Sequence, residues 1–303
     1  MVGGGVSLSE HLSPRGRERR ASLASWLASA WRFLRRRPLA LLGLAIVVVW
    51  VLALLGTDVI APYGPLDLDT FKRLQPPGSE HLMGTDDLGR DVFSRILYGG
   101  RVSVVAGILV VLAASLVGTF IGTSAGFFGG ALDELLMRTA DIFLAFPPII
   151  LALAITAALG PDLHTSMVAI MLVWWPQYAR MVRGVVQSVK QNEYVTASRA
   201  IGAGEWRIML RHVLPNSIMP VFVVATLDLG QGITIAAVLS FLGLGIRPPN
   251  PDWGSMIASG ATMLSQWWLG TFPGLAIMSV VLGFNLLGDA LRDLLDPRLR
   301  HER

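Results

Sequence analysis

Cysteine is absent from the 303 residues, which excludes a disulfide framework, a thiol nucleophile and a thiolate metal site. Lysine is nearly absent. Lys72 and Lys190 stand alone, followed by Arg73 and Gln191, so no Gly-Lys-Ser/Thr loop exists to cradle the phosphates of ATP. The histidines at 11, 81, 164, 212 and 301 are too scattered for a zinc-binding helix. No Gly-x-Gly-x-x-Gly follows a predicted strand. Charge is scarce as well, at 15% of residues against 53% hydrophobic, a balance too apolar for an ordinary soluble domain. The chain reads as a membrane protein whose energy source lies elsewhere.

What is present are charge-free windows over 38–57, 102–132, 142–161, 165–179, 213–227 with 229–246, and 253–288. A helix needs about 20 apolar residues to cross a bilayer core. Each window can hold one crossing, and 165–179 needs a little help from its flanks. The expectation is an all-α integral membrane protein with six transmembrane helices. A pI near 9.9 raises the question of nucleic acid. The basic residues answer it, because they gather where a positive-inside rule would put them. With the N-terminus inside, nineteen Lys/Arg fall on inner segments and six (Lys72, Arg73, Arg90, Arg95, Arg101, Arg247) on outer ones. Both termini are therefore expected in the cytoplasm, and nucleic acid is not a partner.

Taken in order, residues 1–20 are Gly/Ser/Arg-rich and read as disordered. From Ser22 to Arg37, tryptophan and leucine recur at helical spacing beside arginine, which suits an interfacial amphipathic helix. The rival reading of Arg35-Arg36-Arg37 as an export signal fits poorly, since more crossings follow. The first crossing (38–57) opens into a Pro/Gly/Asp-rich outer loop, 58–101. In that loop Asp86, Asp87 and Asp91 lack calcium-loop spacing and suit capping of the next helix better. The second crossing carries Gly118, Gly122, Gly126 and Gly130, a stripe at which a neighbouring backbone can pack closely. Gly122-Thr123-Ser124-Ala125-Gly126 matches the nucleophile-elbow pattern of serine hydrolases. That motif needs a strand and a sharp turn, which an apolar helix cannot supply. The third crossing spans Asp141 to Leu159 with a kink at Phe146-Pro147-Pro148. The fourth ends near Trp174-Trp175-Pro176. The fifth, from Ile218 to Gly245, contains Asp228 and Gln231. An ionisable residue at membrane depth faces a bundle interior or water. Asp228 is thus either part of a translocation pathway or a satisfied structural carboxylate. The sixth crossing follows Pro248-Pro249-Asn250-Pro251-Asp252-Trp253 and reaches Asp289. The residues from 102 to 292 form the core, and 293–303 a cytoplasmic tail.

Between the fourth and fifth crossings lies a polar, basic, helix-compatible island, Glu193 to Asn216. Ala197, Ala200, Gly202, Ala203 and Gly204 sit at its centre and Leu214-Pro215 closes it. Lipid is a poor solvent for such a segment, so it should project into water, where short side chains let another protein approach its backbone.

This island resembles the cytoplasmic "EAA" loop of ABC importer permeases. Thr196-Ala197-Ser198 takes the place of the Glu-Ala-Ala triplet, Gly202 that of the glycine, and His212-x-Leu214-Pro215 that of Ile-x-Leu-Pro. Glu193-Tyr194-Val195 before the triplet looks like the dipeptide/oligopeptide permease subfamily. So do Gly84-Thr85-Asp86-x-x-Gly89-Arg90-Asp91, Leu239 to Gly245, and Asn285-Leu286-Leu287-Gly288-Asp289 on to Pro297. The chain is most similar to the C-type member of the permease pair. The resemblance implies a type I ABC importer permease fold in a prokaryotic inner membrane, with a coupling loop over 184–216. It implies four protein partners: a homologous second permease subunit, two cytoplasmic ATPase subunits and an extracytoplasmic solute-binding protein. Peptide would be the substrate, and ATP and Mg would bind to the partner subunits, leaving this chain without a cofactor. The family often has Glu-Ala just before the Leu-Ser-Phe-Leu-Gly run. Here Ala236-Ala237 stands there, so no role of that glutamate carries over. An ion- or proton-coupled secondary transporter using Asp228 is the competing reading, against which the docking loop argues.

Overall fold

The computed structural model describes residues 37–246 and 248–295. The expected amphipathic helix over 22–37 lies outside the described residues except for Arg37. Helix α1 (Pro38–Leu55) starts on a proline, whose missing N–H is no loss in a first turn. Then come α2 (Val92–Phe128), α3 (Gly130–Leu144), α4 (Pro148–Leu159) and α5 (Leu163–Val189). The island forms α6 (Glu193–Ala200) and α7 (Glu205–Ile208), and a π-helical turn, Met209–Val213, leads into α8 (Leu214–Phe241). The chain closes with α9 (Trp253–Thr262) and α10 (Trp268–Leu295). No strand occurs among the described residues, where the one β-type pairing is a bridge between Thr85 and Asp91.

Among the described residues, four helices are long and apolar enough to cross a membrane: Pro38–Leu55, Val92–Phe128, Glu205–Phe241 and Trp268–Leu294. The number rises to five if the bent pair α3 and α4 counts as one span. Three sequence expectations need correction. The third crossing is not one kinked helix: α3 and α4 meet at 91° across Ala145-Phe146-Pro147. Consecutive prolines remove two N–H donors there, and Pro148 starts a new helix instead of continuing the old one. With 12 residues, α4 is about 18 Å long, short of a bilayer core of about 30 Å. The fourth crossing does not end near Trp174-Trp175-Pro176: α5 runs on through Pro176 to Val189. The sixth window splits into the ten-residue α9 and α10, separated at Met263–Trp267.

The glycine stripe performs as expected at three of its four positions. A methyl group on Gly118 would stand 2.4 Å from Tyr178 Cβ, on Gly122 2.3 Å from the Ala179 carbonyl oxygen, and on Gly126 2.8 Å from that of Arg183. All three contacts lie on α5, so α2 and α5 touch backbone to backbone. Gly130 leaves the stripe: it belongs to α3, has φ +59° and would meet nothing within 4 Å.

The outer loop is ordered by its acids and arginines. Asp91 caps α2, accepting from the Ser94 backbone N–H at 2.8 Å and from its hydroxyl at 2.7 Å. Asp86 folds the turn before it, taking Arg90 Nε at 2.7 Å and the Leu88 and Arg90 N–H groups at 2.9 and 3.0 Å. Helix α2 starts at Val92, so the loop ends ten residues earlier than its charges suggest. Trp268 at the head of α10 donates Nε1–H to the Thr85 carbonyl at 3.2 Å, pinning the loop onto the bundle. At the other end Arg37 pairs with Asp293, bringing the start of α1 beside the end of α10.

Candidate functional site

The island is an exposed surface on a buried root. In α6, Glu193, Thr196, Ala197 and Arg199 are exposed and Ser198 is half-buried, while Val195 is fully buried. Val195 packs in one cluster with Ile208, Met209 and Val213 of the island, Phe127 of α2, and Val182 and Val186 of α5. Lys190 reinforces the root by donating to the Phe127 carbonyl at 2.6 Å, where α2 has run out of N–H partners. Arg183 on α5 holds Asp133 on α3 through two bonds of 2.6 Å. The knob is therefore fastened to α2 and α5, and α5 in turn to α3.

Gly202 ends α6 for a backbone reason. Its φ is +82°, the left-handed region that glycine enters freely. The Gly202 N–H bonds the Arg199 carbonyl at 3.0 Å and the Ala203 N–H bonds the Ser198 carbonyl at 3.2 Å. This is the Schellman pattern of a helix C-terminus. A methyl group on Gly202 would meet nothing within 4 Å, so no contact within this chain demands its smallness. Beyond the turn Arg199 clasps Glu205 at 2.7 and 2.9 Å, tying α6 to α7, and this bond raises the pKa of the Arg199 guanidinium further.

Leu214-Pro215 does not close the island, contrary to expectation. Leu214 is half-buried and Pro215 exposed, and the helix runs through both into α8. Pro215 has no N–H for the Arg211 carbonyl, and its ring would crowd an ordinary α turn. The π turn relieves this by widening the helix just before the proline: the Leu214 N–H reaches back to the Met209 carbonyl. The island is thus continuous, through unbroken helix, with the 28-residue α8.

Sequence reasoning singled out the small residues and passed over the large apolar ones beside them. Ile201 is 85% exposed, Trp206 59% and Leu210 55%. These apolar side chains face solvent within an otherwise polar segment. Their signal in the sequence was the odd position of Ile201 and Trp206 on either side of the Gly/Ala turn.

Of the two membrane-depth candidates, Asp228 is half-buried and accepts a 2.6 Å hydrogen bond from the Tyr178 hydroxyl of α5. Gln231, one turn on, is exposed. Ser124 lies inside α2 and donates to the Phe120 carbonyl at 2.8 Å, the ordinary bond of a serine within a helix.

Membrane-length helices packed around an exposed polar island define a multi-helix membrane protein. The chain belongs to the family of binding-protein-dependent transport system inner membrane components, whose family model matches residues 118–301. Residues 25–77 match the N-terminal TM domain of oligopeptide transport permease C. Among its relatives is a probable D,D-dipeptide transport system permease protein, DdpC, of Escherichia coli K12. It is 42% identical over 88% of this chain and 89% of its own length. The dipeptide transport system permease protein DppC of Alkalihalophilus pseudofirmus is also 42% identical, over 95% of each chain. A glutathione transport system permease protein, GsiD, of Pectobacterium atrosepticum is 41% identical over 89% of this chain and 90% of its own.

Proposed function

We propose that this protein is a membrane-embedded subunit of an ATP-driven importer of short peptides, contributing half of the translocation pathway. The observation that carries the coupling role is the island's construction: an exposed α6 and Gly202 turn above a buried Val195 root shared with α2 and α5. A force applied to α6 by an ATPase would reach α2 and α5 without first deforming a flexible joint, and α3 through the Arg183–Asp133 pair. Family membership supports the rest. The relatives' names speak of dipeptide and other peptide transport, and short peptides are the substrate class taken here.

In this reading the bundle crosses the inner membrane six times, as α1, α2, the bent α3–α4 pair, α5, α8 and α10. The pairing of Arg37 with Asp293 supports a common side for both ends of the bundle, the cytoplasmic one by the positive-inside rule. The short α4 and the arginine-bearing α5 become tolerable if other helices surround them, since a second permease subunit would shield them from lipid. Two ATPase subunits would bind ATP and Mg, cover Ile201 and Trp206 and grip α6 through Glu193, Thr196, Ala197 and Ser198. A solute-binding protein would deliver peptide at the opposite face. Asp228 and Gln231 stand as pathway residues. Purification of the assembled complex tests the reading. An ATPase should co-purify with this chain, and reconstituted vesicles should take up peptide only with ATP and binding protein. Uptake driven by an ion gradient without ATP would instead support the secondary-transporter reading.

A further inference from the structure

At the end of the bundle opposite the island, α2, α5, α8 and the start of α9 surround a cavity of about 20 Å³. Two of the polar side-chain atoms at its wall have no hydrogen-bond partner among the described residues: Ser240 Oγ and Asp252 Oδ2. Both residues are more than nine-tenths buried, at 7% and 3% exposure. Asp252 caps α9 with its other oxygen, Oδ1, which accepts from Gly254 and Ser255 N–H at 3.0 and 3.1 Å. The capping role therefore leaves Oδ2 unused. Two more serines line the same space with unused capacity. Ser103 Oγ accepts from the Trp253 N–H at 3.1 Å and keeps its own hydrogen, while Ser166 donates to the Leu244 carbonyl and keeps its lone pairs.

We propose that this cavity is a binding site for a single buried water molecule. The space suffices for about one water, and a buried water needs about two to four polar partners. Accepting from the Ser240 and Ser103 hydroxyls and donating to Asp252 Oδ2 and Ser166 Oγ, one water satisfies both otherwise orphaned atoms. An empty space would leave a carboxylate oxygen and a hydroxyl buried and unpaired, which native proteins rarely tolerate. The four serine and aspartate groups come from four different elements, so the water is a common joint for α2, α5, α8 and α9.

The intact transport complex in lipid nanodiscs tests this directly. A high-resolution map should show a water peak within hydrogen-bond distance, about 2.6–3.2 Å, of both Ser240 Oγ and Asp252 Oδ2. Empty density, or a protein atom filling the space, overturns the proposal. A thermal-unfolding cycle gives an independent check. Asparagine is a good helix cap, so Asp252→Asn keeps the α9 start intact. Ser240→Ala and Asp252→Asn should each lower Tm by about 2–4 °C, and the double variant by less than their sum. The two atoms do not bond each other, so coupling between them requires a mediator. Additive shifts overturn the proposal. A wild-type Tm that rises in sodium chloride over choline chloride, with no such rise in Asp252→Asn, also overturns it and assigns a cation instead.

Discussion

Tyr178 of α5 and Asp228 of α8, fifty positions apart, meet in a 2.6 Å hydrogen bond within the helical bundle. The same tyrosine packs its Cβ where Gly118 of α2 has no side chain, so it connects three helices. Asp228 therefore has the partner that its own neighbourhood in the chain does not reveal. A structural and a transport role make different predictions for it. Tyr178→Phe leaves the carboxylate without this donor and should destabilise the complex by about 1–3 kcal/mol. Asp228→Asn keeps an acceptor for the tyrosine and removes only the charge. The expected outcome is normal assembly with an altered uptake rate or pH dependence. Loss of the complex in Asp228→Asn would make the residue structural.

The close contact of α2 with α5 predicts a graded response along the glycine stripe. Gly122→Ala places a methyl group 2.3 Å from the Ala179 carbonyl and should cost about 1–3 kcal/mol through forced separation of the helices. Gly122→Leu should prevent assembly. Gly130→Ala meets open space and suffers only from its left-handed backbone, about 1 kcal/mol. Recovery of the assembled complex checks Gly122→Leu, and thermal unfolding of the purified complex would rank the two alanine variants.

Gly202 acts through its backbone angle, which separates two kinds of substitution. Asparagine tolerates the left-handed region and should leave ATP-driven uptake near normal, whereas valine should lose most of it by undoing the turn after α6. Both proteins should insert in the membrane at wild-type levels. Equal uptake by Gly202→Asn and Gly202→Val would show that the turn does not transmit force.

The exposed apolar rim predicts where an ATPase holds on. Ile201→Asp should cut co-purification of the ATPase by about tenfold or more, as expected when a buried apolar contact of about 1.5–3 kcal/mol becomes a charge. Insertion of the chain should be unchanged. Phe128 stacks edge-on against Trp206 at 5.2 Å, so Trp206→Ala should also loosen the island from α2 and lower Tm slightly. Intact ATPase capture by Ile201→Asp would move the docking surface elsewhere.

Much of this architecture was legible in the sequence because the bilayer imposes simple rules on length and polarity. The apolar runs at 38–57, 102–132 and 218–245 became helices over most of their length, ending at Leu55, Phe128 and Phe241, and the glycine spacing at 118, 122 and 126 announced a close helix contact. The polar island declared itself as a surface element, since its charges exclude it from lipid. These are properties of a segment and the solvent around it. The right angle between α3 and α4, the division of the last window into α9 and α10, and the π turn before Pro215 arise from how one segment must fit its neighbours. Hydropathy counts residues and cannot see a turn made inside an apolar run. Partners such as Tyr178 for Asp228, or Ser240 across a cavity from Asp252, lie on separate elements. Only packing brings such groups to one place, so tertiary structure alone decided which polar atoms the bundle pairs with each other and which it turns toward a shared cavity.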